Sequence, residues 1–474
     1  MDSKDWTKWF AKVLAPIGFP TISGPTTYPP NPQVDQIFAQ WDKPDSPGFA
    51  LAVSQAGNVV YARGYGMADL DHNIRITPLT VFHACSLAKQ FTAMSIMLLV
   101  GQNKLSLSDE VHTLIPELKS VIPPITIGQL LHHISGIRDQ WVLATLAGWR
   151  LSDDVISRND VVEDLVPRMK TLNFSPGTTY SYSNTNYTLA AEIVKHVSTK
   201  SLAEFAHKHI FQKLGMKSTT ITETHGQIIK NRAYGYWSTS SAFKMRMPNY
   251  DLTGPTNLLT TVEDLMRWDR NFDLLTVGGS SALTAMQTTV PTSGEYGLGL
   301  FIRNEQGRRI VEHDGRDPGY RSHLIRYPDQ KLAVALLGNV QLPNSIYTGD
   351  LVRSVAAIYL NSAPPAAPQS SVPPQQPTFT PASLTEYLGR YYSDELDVTY
   401  EIVMKGSSIA ITRRKYGPAI LTAVSPNTFT TNFSVVLSLA NVTFHRTQGN
   451  VDGFSIDDTS GADRLRNFWF AKVA

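Results

Sequence analysis

Residues 361 to 382 read NSAPPAAPQSSVPPQQPTFTPA, a stretch dense in proline and almost free of large apolar side chains. Proline fixes φ and removes a backbone donor, so this run cannot enter a sheet ladder or a helix interior and serves as a semi-extended spacer. At 474 residues the chain is also too long for one ordinary core, and the spacer divides it. Ahead of it, strand patterns stand at both ends of a long segment with helical patterns between them. Behind it, runs such as YEIVMKGSSIAITRR and VVLSLANVTFHRT alternate apolar and polar residues, with turn residues about every ten positions.

The first strand pattern, GFALAVSQAGNVVYARGYG, turns at Ala56-Gly57-Asn58 and reads as a hairpin. Strand patterns return at YGLGLFIRNEQGRRIVEHDG and HLIRYPDQKLAVALLGN, and IYTGDLVRSVAAIYL closes the segment as a helix. The pattern predicts one antiparallel sheet built from both ends of the segment, with a helical insertion beside it. The expected fold class is thus α/β (α+β), followed by a small all-β barrel. The expected organisation is an N-terminal arm over 1–32, a main domain over 33–360, a linker over 361–382 and a barrel over 383–474.

Composition narrows the function. Hydrophobic content is 42%, charged content 17% and net charge only +2. Those are values of a globular chain, and they argue against nucleic acid or an acidic membrane surface as the main partner. A single cysteine allows no internal disulfide. The longest apolar run, FTAMSIMLLV, is far short of a membrane span and suits a core helix. The N-terminus MDSKDWTKWFAKVLAPIGF lacks a signal-peptide pattern, so the expected compartment is cytoplasmic. The sequence leaves oligomeric state open.

That helix opens with ACSLAKQFTA, residues 84 to 93. A helix starting at Ser86 brings Lys89 to the same face, about 5–6 Å away at Cβ. The unpaired N–H groups of the first turn favour an alkoxide and push a nearby lysine toward losing its proton. A serine so placed can become a nucleophile without a histidine. Alone, S-x-x-K arises often by chance. Two further motifs accompany it: Tyr182-Ser183-Asn184 within FSPGTTYSYSNTNY, and His313-Asp314-Gly315 within VEHDGRDPGY.

Together these resemble the serine β-lactamase and penicillin-binding protein superfamily, in its class C β-lactamase and D-aminopeptidase-like branch. There S-x-x-K, Y-x-N and K-T-G or H-x-G occur in this order. LLHHISGI and PGTTYSYSNTNYTLAAEIV resemble the flanking segments, and residues 383–474 resemble a lipocalin-like barrel. The resemblance implies a Ser86 nucleophile, proton transfer shared by Lys89 and Tyr182 with the first base left open, and Asn184 holding Lys89 and the substrate amide. It implies an oxyanion hole from the main-chain N–H groups of Ser86 and Arg316, and His313 in the place of the K-T-G lysine. Gly315 lets substrate lie along a strand edge without a Cβ in the way. No metal or organic cofactor is implied.

Asp314 departs from the better-known pattern, standing where a hydroxyl residue usually meets a substrate carboxylate. An anion facing the cleft there repels a carboxylate. That disfavours a β-lactamase or D,D-carboxypeptidase. It favours a serine hydrolase acting through an acyl-enzyme on an amide or peptide bond of a small molecule or short peptide, as a D-aminopeptidase or amidase does. The alternatives are an esterase, an acyltransferase or transpeptidase such as a peptide cyclase, and a catalytically silent binding protein. Cys85 is expected to face the core, and His132-His133 and residues 207–209 to pack or face solvent. The loop RRKYGPA, residues 413–419, is expected to approach the site from the barrel.

Overall fold

A computed structural model describes residues 28–115, 118, 123–239, 242–342, 346–361, 383–413, 415–434 and 436–473. All of the expected linker over 361–382 except Asn361, and most of the expected arm over 1–32, lie outside the described residues.

Helix α1 (Pro32–Phe38) leads into strands β1 (Phe49–Gln55) and β2 (Asn58–Tyr65). The hairpin turns where expected: Ala56 and Gly57 take φ of 50° and 78°, the pair of positive angles that matches strand twist. The insertion follows, with α2 (Ala88–Gly101), α3 (Gln140–Leu146), α4 (Asn184–Ser198) and α5 (Val262–Leu274) as its principal helices. Strands β3 (Phe301–Glu305), β4 (Arg308–Asp317), β5 (Tyr320–Tyr327) and β6 (Leu332–Gly338) then precede α6 (Thr348–Tyr359).

The sheet runs β3-β4-β5-β6-β1-β2, all antiparallel, and β1 meets β6 with Phe49 opposite Gly338 and Gln55 opposite Leu332. The two ends of the segment thus share one sheet, as the strand patterns predict. Alternation splits β1 between two cores: Ala50 and Ala52 face the helical insertion, while Phe49, Leu51 and Val53 face α1 and α6. The small side chains on the insertion side let α5 pack closely against β1 and β6. Helix α2 is apolar around nearly its whole circumference and is buried at almost every position, as a central core helix must be. Phe91 fixes it, with its ring centre 4.6 Å from Trp268 in a tilted pair and 5.4 Å from Phe211 edge-to-face.

One edge of the sheet matters for the site. β3 pairs with β4 only as far as Glu312, so residues 313–317 of β4 bond to β5 on one side and are open on the other.

The C-terminal strands form a closed eight-stranded barrel, each paired to the next, with Arg390 of the first opposite Val473 of the last. Closure leaves no free edge. Its interior is filled by rings such as Tyr391, Phe444, Phe454 and Phe470. Tyr400 Oη donates to the Leu146 carbonyl at 2.5 Å, and Arg138, wholly buried, pairs with Glu395 of the barrel.

Candidate active site

Every residue from Thr80 to Met97 is buried except Ser86. The chain achieves this with one strained residue. Cys85 takes φ of 51°, a left-handed angle unusual for a side-chain-bearing residue, and turns its thiol into the core while Ser86 faces out. The Cys85 N–H donates to His83 Nδ1 at 3.2 Å, which holds the turn. Ser86 itself sits in a short 3₁₀ turn, Cys85–Leu87, that runs directly into α2.

Lys89 is fully buried, and its Nζ has three partners: Ser86 Oγ at 3.0 Å, Asn184 Oδ1 at 2.8 Å and the Pro255 carbonyl at 2.9 Å. Burial lowers its pKa to about 7, with Asp317 and Asp139 pulling the other way and Arg464 adding to the fall. Two of the three partners can only accept. A neutral lysine has two N–H donors and one lone pair, so its donors go to Asn184 and Pro255 and the lone pair is left facing the Ser86 hydroxyl.

Asn184 begins α4, and Asp139 orients it. Asp139 Oδ2 accepts from both Asn184 N and Asn184 Nδ2 at 2.7 Å, while its other oxygen accepts from Trp141 N and Val142 N to cap α3. The Asn184 carbonyl is thereby aimed at Lys89. Tyr182 lies alongside: Lys89 Nζ is 4.8 Å from its ring centre. Burial raises the Tyr182 phenol well above its ordinary pKa, and its hydrogen bond with Ser86 acts against that rise. Tyr180, its sequence rival, is also raised by burial, and its ring stands 6.0 Å from Tyr296.

Strand β4 supplies the opposite wall. His313, Gly315 and Asp317 alternate toward the helical side, and Asp314 and Arg316 lie on the other. His313 Nδ1 is 2.6 Å from the Asp314 carbonyl, which only accepts, so the proton sits on Nδ1. Its Nε2 then accepts from the Tyr296 hydroxyl at 3.0 Å. Burial lowers His313 to about 4, which keeps it neutral at physiological pH. A Cβ on Gly315 would lie 2.6 Å from Cys85 Cβ and 2.8 Å from Ser86 N, so only glycine lets this strand approach the nucleophile. Arg316 is exposed. Asp314 is half-buried and near enough to Tyr180, Tyr182 and Tyr347 to raise all three phenols electrostatically.

Three contributors were invisible to motif reasoning: Asp139, Tyr296 and the Pro255 carbonyl. Asp139 shows in the sequence only as an aspartate ahead of an apolar helix. His132 and His133 do pack: His132 Nδ1 bonds the Tyr296 carbonyl at 3.1 Å, and His133 lies 4.3 Å from the Tyr182 ring, ring centre to ring centre. His83, Cys85 and Asp317 bring ligand-type atoms within 4.8 Å of one another. His83 spends its Nδ1 lone pair on the Cys85 N–H and turns Nε2 to Asn257 Oδ1 at 3.2 Å, so the ring has no electron pair free for a metal.

The barrel approaches by a different loop from the one expected. Two residues of the expected loop pack on the segment after α3: Tyr416 Oη donates to Trp149 O at 2.7 Å, and Lys415 pairs with Asp154 at 2.9 Å. The barrel residue beside Tyr182 is Arg464, whose guanidinium carbon is 5.9 Å from that ring. Local composition suggested 413–419, but side-chain partners on the main domain decide which loop docks at the site.

Comparisons with known proteins agree with this architecture. A D-aminopeptidase of Gluconobacter oxydans (strain 621H) is 29% identical over 337 residues, covering 70% of this chain and 62% of that protein. The chain spans about three fifths of the length of the curated relatives it matches. Two solved structures share the fold. The D-amino acid amidase from Ochrobactrum anthropi SV3, complexed with L-phenylalanine, has a TM-score of 0.60 at 20% identity, covering 70% of this chain and 99% of that one. The octameric penicillin-binding protein homologue from Pyrococcus abyssi has a TM-score of 0.59 at 22% identity, covering 90% and 96%. No helix among the described residues is long and apolar enough to cross a membrane. The Beta-lactamase family model matches residues 34–357, from the first helix to the last of the sheet-bearing domain, and the chain belongs to that family.

Proposed function

We propose that this protein is a serine hydrolase that cleaves an amide or peptide bond through an acyl-enzyme on Ser86, with D-aminoacyl amides and short D-aminoacyl peptides as its substrates. The observation that carries this reading is the Lys89 environment. At a pKa of about 7, roughly half the lysine is neutral at pH 7, against on the order of one in a few thousand for an ordinary lysine. The lone pair of the neutral form faces Ser86 Oγ, so Lys89 takes the serine proton as the oxygen attacks the substrate carbonyl. Tyr182, with a phenol raised well above its ordinary value, keeps its proton and is suited to pass it to the leaving amine. The N–H groups of Ser86 and Arg316 would receive the developing oxyanion, an interaction worth about 3–4 kcal/mol per donor. Water then attacks the acyl-enzyme by the same route in reverse.

Asp314 sets the preference. Although Asp314 lies on the face of β4 opposite His313, its charge reaches Tyr180 and Tyr182 electrostatically, and it opposes a carboxylate at the strand edge and suits an amine-bearing or neutral group. The D-aminopeptidase and D-amino acid amidase relatives support the same substrate class. The test is a chromogenic panel of D- and L-aminoacyl anilides, nitrophenyl esters and one reporter cephalosporin, run with wild type and Ser86→Ala. Serine-dependent cleavage of the D-aminoacyl anilide is the expected result. Turnover of the cephalosporin in preference to the anilides would overturn the role given to Asp314.

A further inference from the structure

The barrel loop between Asp458 and Phe468 is pinned to the main domain at Asp463, Arg464 and Arg466. Asn173 Nδ2 donates to Arg464 O at 2.9 Å, and Asn173 Oδ1 accepts from Arg466 N at 3.0 Å. Ser181, the immediate neighbour of Tyr182, donates from Oγ to Asp463 O at 2.8 Å. Within the loop, Arg464 N–H donates to Asp458 Oδ2 at 3.0 Å. The backbone of Arg464 is therefore fixed on both sides, next to the tyrosine of the Y-x-N motif.

Its side chain has no such partners. Asp463, the nearest acid in sequence, pairs with Arg466 instead. Among the described residues the Arg464 guanidinium makes no ion pair, and its Nε is buried without a hydrogen-bond acceptor. Arg464 is otherwise partly exposed, so an acceptor arriving from outside the chain would pair this N–H, worth about 1–3 kcal/mol, and meet the charge at once. The guanidinium offers a planar pair of donors that fits a carboxylate with two hydrogen bonds. The guanidinium carbon lies 5.9 Å from the ring of Tyr182, the group suited to protonate the leaving amine, and successive peptide residues lie about 3.8 Å apart, so the first residue beyond the scissile bond falls in its range.

We infer that Arg464 is a specificity residue that receives the free α-carboxylate of the residue leaving from the scissile bond, so that short peptides with a free C-terminus are preferred over their amides. The carboxylate repelled at the strand by Asp314 is met instead from the barrel. This inference rests on the peptidase reading above and adds to it the charge and length of the leaving group.

The experiment compares D-alanylglycine with D-alanylglycinamide, using wild type, Arg464→Gln and Arg464→Lys. Wild type is expected to favour the free acid in kcat/KM. In Arg464→Gln the acid-to-amide ratio should fall roughly ten- to a hundredfold, mostly through KM, as expected for a lost charge-assisted pair. Arg464→Lys should retain part of the preference. Any effect of Arg464 on Lys89, or on folding, acts on both substrates and cancels in the ratio. An unchanged ratio in Arg464→Gln would overturn the inference. A second arm separates it from the peptidase reading: nitrophenyl acetate hydrolysis at Ser86 is inhibited with glycylglycine and with glycylglycinamide. Tighter inhibition by the acid that disappears in Arg464→Gln sustains the carboxylate site even where neither D-alanyl substrate is cleaved. Equal inhibition by acid and amide in wild type refutes it.

Discussion

Replacing Asp139 with alanine should damage both stability and catalysis, and the structure gives the size of each. Asp139 is fully buried and accepts four hydrogen bonds, two from Asn184 and two from the first turn of α3. Losing the helix cap costs about 1 kcal/mol. The Asn184 N–H and Nδ2 are left as buried donors without acceptors, at roughly 1–3 kcal/mol each. The total of about 3–7 kcal/mol is a large share of the 5–15 kcal/mol typical of a folded domain. Urea unfolding should show a midpoint shifted strongly downward, and Asp139→Asn should recover part of the loss by keeping one acceptor. Catalysis supplies the more telling readout. Asp139 is one of the charges that hold the Lys89 pKa up, so removing it lets that pKa fall below its value of about 7. The ascending limb of kcat/KM against pH should move to lower pH while the plateau drops. A urea midpoint near that of wild type, with a pH limb that stays in place, would refute the reasoning that Asp139 organises the Asn184–Lys89 pair.

Other expectations follow from the same geometry. Gly315→Ala forces a Cβ against Cys85 and Ser86 and should lower kcat/KM for a nitrophenyl ester by about a hundredfold, with a stability loss of roughly 1–3 kcal/mol. Tyr296→Phe removes the donor to His313 Nε2 and should cost about 1–3 kcal/mol in denaturant unfolding, because the buried acceptor is left unpaired. Arg138→Ala leaves Glu395 facing the domain contact without its partner, at about 3–5 kcal/mol, so limited proteolysis should cut between sheet domain and barrel sooner than in wild type.

Much of this was legible in the sequence, for reasons that can be named. The hairpin at Ala56-Gly57, the apolar helix after Ser86 and the alternating C-terminal strands are local patterns, and each formed where its pattern stood. Ser86 and Lys89 came together because i, i+3 spacing on one turn requires no knowledge of the rest of the fold. Contacts over long separations were not legible. Asp139 and Asn184 lie 45 positions apart, and nothing local marks the second oxygen of a capping aspartate as the partner of a distant amide. Arg464 was missed for the same reason: its place depends on Asn173 and Ser181 docking the barrel loop, whereas 413–419 drew attention through a glycine-proline turn and basic flanks.

In the proposed mechanism Lys89, about half of it neutral at pH 7, is the base that activates Ser86. The most direct test of that role is the rate of Ser86 acylation, followed as the nitrophenol burst from a nitrophenyl ester between about pH 5 and pH 9. A depressed lysine pKa means the competent neutral form is scarce below it and saturates above it. The burst rate should therefore rise tenfold per pH unit and level off after a midpoint near 7. A rate that is flat across this range, or that rises only above pH 9, would contradict the account.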